Sequence, residues 1–75
     1  MRRFTDGSGR SWEVVAGRES WGAIFAIFIP VDGDDDLRQT PLAASSYQAA
    51  NAELGALDEA SLAALLDRSV PKTLD

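Results

Sequence analysis

The sequence predicts an α+β domain: a small antiparallel sheet of three to four strands, laid down as an N-terminal meander, followed by two short C-terminal helices packed on one of its faces. Three observations carry this. Up to Pro41 the chain consists of short runs of β-formers, each ended by glycine, proline or acidic turn residues. From Ser45 onward the apolar residues recur at helical spacing instead. With 75 residues, 45% of them hydrophobic and 25% charged, the chain can build one core and no more.

The elements follow in order. Arg2 to Thr5 forms a first short strand, and Asp6-Gly7-Ser8-Gly9 is a turn, because glycine tolerates positive φ. Ser11 to Ala16 alternates as a second strand, and Gly17 to Ser20 reads as a second turn. Trp21 to Ile29 is a third strand, closed by Pro30, which has no N–H to give a ladder. An acidic loop runs from Val31 to Asp36, and Leu37 to Thr40 is a short fourth strand stopped by Pro41.

Two tight turns give a register. If Asp6 opposes Gly9, Phe4 faces Ser11, Arg3 faces Trp12 and Arg2 faces Glu13. If Ala16 opposes Trp21, Val14 faces Ala23 and Trp12 faces Phe25. Cross-strand pairs of this kind contribute roughly 0.2–1 kcal/mol each.

Ser45 with Gln48 three residues on resembles a capping box, and Tyr47, Ala50, Leu54 and Leu57 share one helical face. Gly55 weakens that helix near its end. Asp58 is the expected N-cap of a second helix, with Leu62, Leu65 and Leu66 as its apolar stripe and Arg68 at its C-terminal end. Residues 1–70 then make a single domain, and 71–75 a flexible tail.

Composition excludes several kinds of chemistry. The chain has neither cysteine nor histidine, so disulfides, thiolate metal sites and imidazole-driven nucleophiles are absent. Ser20, Ser45, Ser46 and Ser61 have no base to activate them. Gly7-Ser8-Gly9 is not followed by the helix that a phosphate loop needs. Asp32, Asp34 and Asp36 have the spacing that opens a calcium loop, but Leu37 stands where glycine is wanted and Ala43 where a bidentate glutamate is wanted. The reading is a non-enzyme with no metal, no cofactor and no evident small-molecule substrate.

Net charge is −5 and uneven. Residues 1–30 set four arginines against Asp6, Glu13 and Glu19, whereas residues 31–75 set Arg38, Arg68 and Lys72 against nine carboxylates. An acidic second half repels phosphate backbones. The N-terminus is basic but meets Asp6 and a Gly-rich turn, so it does not read as a secretory signal. The longest apolar run, Trp21 to Val31, is about half the ~20 residues of a membrane-spanning helix. Both features predict a cytoplasmic protein, peripheral at most on a larger complex. Six arginines to one lysine, with abundant alanine, point to a bacterial source.

Function rests on the third strand. Trp21, Ala23, Phe25, Ile27 and Ile29 form one row and Gly22, Ile24, Ala26 and Phe28 the other, so both faces are apolar. Two short helices can cover only one face. By the register above, the first row joins Trp12 and Val14 beneath the helices. The second row lies open with Phe4 and Val15, edged by Arg2, Glu13 and Ser11. An apolar centre with a polar rim is the composition of a protein–protein contact.

The expected function is a non-enzymatic interaction module, a small accessory subunit of a larger bacterial assembly. The partners considered are a membrane-bound energy-transducing complex, transcription machinery, or a second copy of the chain. The competing reading is a nucleic-acid-associated regulator that uses Arg2, Arg3, Arg10 and Arg18 with Trp12, Trp21 and Phe4 as a stacking platform.

Overall fold

The computed structural model describes residues 2–20, 22–31 and 37–72. Its strands are β1 (Arg2–Thr5), β2 (Ser11–Arg18), β3 (Ile24–Pro30), β4 (Arg38–Pro41) and β5 (Val70–Pro71), and its helices α1 (Tyr47–Ala56) and α2 (Glu59–Arg68). The fold is α+β. All five strands join one open antiparallel sheet in the order β1-β2-β3-β4-β5. Four strands form the expected meander; the fifth comes from a stretch that the sequence reading begins to treat as tail. Val70 and Pro71 pair with Gln39 and Arg38 after the chain has passed through both helices.

Both hairpins are built on the same loop. Asp6 N–H donates to Arg10 O (2.9 Å) and Gly9 N–H to Asp6 O (3.1 Å), while Glu19 N–H donates to Ala23 O (2.8 Å) and Gly22 N–H to Glu19 O (2.9 Å). Each loop therefore spans three residues and ends on a glycine of positive φ, +89° at Gly9 and +100° at Gly22. Such loops carry a left-handed residue before the second strand, which favours glycine.

These loops correct the register read from the sequence. Phe4 opposes Trp12, Arg3 opposes Glu13 and Arg2 opposes Val14. Val14 opposes Phe28, Val15 opposes Ile27 and Ala16 opposes Ala26. Gly17 and Arg18 are strand residues rather than a turn. Because the side-chain period in a strand is two, moving the turn by one residue exchanges its faces.

The core accordingly holds Phe4, Trp12, Val14, Ala16, Ile24, Ala26 and Phe28 from the sheet. Above them lie Ala50 and Leu54 of α1 and Leu62, Leu65 and Leu66 of α2. Phe4 and Phe28 meet edge-to-face with ring centroids 5.9 Å apart, a favoured aromatic geometry. α1 lies over β2 and β3, and α2 rests against β1 and β4.

The helix caps explain where each helix begins. Ser46, one residue later than expected, caps α1 by accepting from Ala49 N–H at 3.1 Å. Asp58 caps α2 as expected by accepting from Ser61 N–H at 2.8 Å, and Glu59 occupies the first turn at the positive end of the dipole. Tyr47, expected on the buried stripe of α1, stands exposed at its first turn. The molecule is two layers deep, with Cα extents of 32 × 31 × 19 Å. No described helix is long and apolar enough to cross a membrane.

Candidate interaction face

The helices cover one side of the sheet and leave the other bare. On the bare side the pairing aligns Glu13 with Ile29, Val15 with Ile27 and Gly17 with Phe25, then Ile27 with Gln39 and Phe25 with Pro41. Val70, opposite Gln39, extends the row to the edge strand and is 57% exposed. The strand patterns alternate strictly between buried and half-buried residues, so Val15, Phe25, Ile27 and Ile29 are shielded by one another but by no further layer. Ile27 leans over Gly17, where an added Cβ would overlap its Cδ1 atom. The absent side chain thus lets the apolar row close on itself.

Polar groups ring this row. Arg3 and Glu13, directly opposed on β1 and β2, pair at 3.7 Å. At the other margin Lys72 follows β5, and its Nζ lies 3.5 Å from Glu19 Oε1 and 3.4 Å from Gln39 Oε1. Lys72 and Glu19 are only 22% and 34% exposed, so the lysine stem is folded down while its amine stays paired.

The sequence-stated site is partly displaced by this geometry. Val15 and Glu13 lie on the bare face as expected, although Glu13 pairs with Arg3 rather than Arg2. Phe4, Ile24, Ala26 and Phe28, expected on the bare face, are buried beneath the helices. The cause is the three-residue loops, which shift the pairing and turn this row inward. Arg2, expected at the rim, points to the helical side, where its guanidinium donates to Gly55 O at 2.8 Å and Leu54 O at 3.4 Å. There it serves the C-terminal carbonyls of α1, which lack intrahelical partners. Phe25, Ile27 and Ile29, expected under the helices, take the vacated places.

The residues of the nucleic-acid reading are not brought onto one surface. Trp12 and Phe4 are buried, Arg2 is engaged by α1, and Arg3 is paired on the bare face. Trp21 and the Asp32–Asp36 stretch lie outside the described residues.

The edges of the sheet are also occupied. Thr5 N–H, at the outer strand, donates to Glu59 Oε1 at 3.1 Å, and the opposite edge ends in Pro71. Both devices discourage a further strand from adding edge-on. Contact through this sheet is therefore directed to its face.

A separate cleft of about 570 Å³ opens between the helices and the segment after β4, floored by Leu42, Leu57 and Leu65. Glu53 and Arg68 stand among its walls. No family model, no curated protein and no solved structure matches this chain.

Proposed function

We propose that this chain is a non-enzymatic protein–protein interaction module that docks through the bare face of its sheet. One observation carries the reading: Val15, Phe25, Ile27 and Ile29 form a continuous apolar row on β2 and β3 with no layer over it, while the helices are spent on the other side. Burying apolar surface contributes about 25 cal/mol per Å², so such a row gains from being covered. Its rim of Arg3–Glu13 and Lys72–Glu19 pairs matches the polar border of a contact patch. The role that follows is an accessory subunit of a larger assembly, cytoplasmic or peripheral to it.

Light scattering combined with hydrophobic-dye fluorescence at micromolar concentration tests the reading. It expects either an assembly larger than the chain or a monomer that binds the dye. A monomer that leaves the dye dark would overturn it.

A further inference from the structure

Resting on that reading, we infer that the occupant of the bare face is a second copy of this chain, held face to face about a twofold axis that passes at Ile27. Three observations on the page lead there.

The first is position. β3 is the central strand of the five, and Ile27 is its middle residue, with Val15 on one side, Gln39 on the other, and Phe25 and Ile29 before and after it along the strand. A twofold axis lying between two such sheets at Ile27 sets Ile27 on Ile27 and returns the apolar row onto its own image. That is the requirement of an isologous contact. Two antiparallel sheets packed this way sit about 10 Å apart, with strands within about 30° of alignment.

The second is charge. The chain as a whole is at −5, which would oppose self-association if that charge faced the contact. The bare face is instead balanced: Arg3 answers Glu13 and Lys72 answers Glu19 within one copy. The acidic groups of the helical layer, Glu53, Asp58, Glu59 and Asp67, stand on the far side of the sheet. A face with no net charge asks for no oppositely charged partner and does not repel its own image.

The third is size. The broad plane of the molecule is 32 by 31 Å, against 19 Å through its two layers. A face of this breadth is of the order of the ~800 Å² per partner that a standard stable interface buries.

The test exploits the absence of native cysteine. Sedimentation equilibrium on the wild-type chain is expected to give twice the 8.0 kDa chain mass, and Ile27→Asp is expected to give the monomer with an unchanged circular-dichroism spectrum. In parallel, Ile27→Cys is expected to be joined into covalent dimers by a short bismaleimide, whereas Ala52→Cys, on the exposed side of α1, is not. Three results overturn the inference. A wild-type monomer that binds hydrophobic dye leaves the face open for a different protein, so the docking reading stands and the second copy falls. A monomer that leaves the dye dark removes both. A wild-type dimer that Ile27→Cys does not cross-link is assembled through another surface. Should Ile27→Asp lose its fold, the cross-linking arm decides alone.

Discussion

The indole N–H of Trp12 donates to Asp6 Oδ2 at 2.9 Å, tying the buried aromatic of β2 to the turn that precedes it. The other carboxylate oxygen of Asp6 accepts from Ser8 N–H (2.9 Å), Ser8 Oγ (2.7 Å) and Arg10 N–H (3.0 Å). Desolvation on its own would raise the Asp6 pKa. The donors from Ser8, Trp12 and Arg10 outweigh it and lower the value to about 2. One side chain thereby fixes the loop length, the register of β1 on β2 and the seat of a core tryptophan.

The first prediction follows from that network. Asp6→Ala leaves the Trp12 N–H without its acceptor, and the expected loss is about 1–2 kcal/mol in urea unfolding. The pH dependence has a definite sign. A carboxylate whose folded pKa is depressed contributes stability above its unfolded pKa of about 3.9, and loses it as pH falls toward the folded value. The difference between wild type and Asp6→Ala is thus expected to be full near neutrality and to shrink between about pH 5 and pH 2. A difference that stays constant down to pH 2 would remove Asp6 as the ionised hub.

A second prediction concerns the two loop glycines. Gly9 and Gly22 have φ of +89° and +100°, whereas Gly7 does not adopt positive φ and has open space around it. Gly9→Ala and Gly22→Ala are expected to cost about 1–2 kcal/mol each, through the steric penalty of a Cβ at positive φ. Gly7→Ala is expected to be close to neutral. Equal penalties at all three positions would contradict the shared loop geometry.

The third prediction separates the two faces of β3. Phe28 is fully buried under the helices, while its neighbour Ile27 is on the bare side. Phe28→Ala is expected to cost about 3–5 kcal/mol, the usual loss for a large buried aromatic, and Phe28→Asp to unfold the chain. Ile27→Asp is expected to keep the fold. Comparison of circular dichroism and urea midpoints for these variants decides the matter; the reverse ranking would mean that the helices cover Ile27.

This pair of residues also shows what the sequence could and could not reveal. Strand identities, the meander, the Asp58 cap and the Leu62-Leu65-Leu66 stripe all follow from local pattern, because each depends on residues a few positions apart. The facing of β3 does not. Its two rows, Phe25-Ile27-Ile29 and Ile24-Ala26-Phe28, are equally apolar, so hydrophobicity gives no preference and only the loop length decides. The deciding signal was nevertheless present. Asp6-x-x-Gly9 and Glu19-x-x-Gly22 share a spacing, and both close the same hairpin loop. Taking the repeated Gly-Arg pair as the turn marker instead placed Gly17 in a turn. β5 escaped local reading for a different cause, since two residues ending in proline carry no strand period at all.

A fourth prediction rests on the joint between α2 and β5. Arg38 donates through Nε to Ser69 Oγ at 2.8 Å and through a terminal nitrogen to Ser69 O at 2.5 Å. Ser69 in turn caps α2, its N–H and hydroxyl both donating to Leu66 O, and it is only 5% exposed. The guanidinium thus holds the point where the chain leaves the helix and enters the sheet edge. Beyond it, Lys72 N–H donates to Leu37 O at 2.7 Å, and the Lys72 amine reaches Glu19 and Gln39 on the bare face. A lysine cannot reproduce the two-point grip of the guanidinium fork. Arg38→Lys and Arg38→Ala are therefore both expected to lose about 1.5–3 kcal/mol, the range for hydrogen bonds to a charged group. Hydrogen exchange gives the more specific reading. The Lys72 amide is expected to lose its protection in both variants, while the amides pairing β2 with β3 keep theirs, since β5 contacts β4 alone among the strands. Unchanged protection at Lys72 would show that Val70 and Pro71 hold the edge without Arg38.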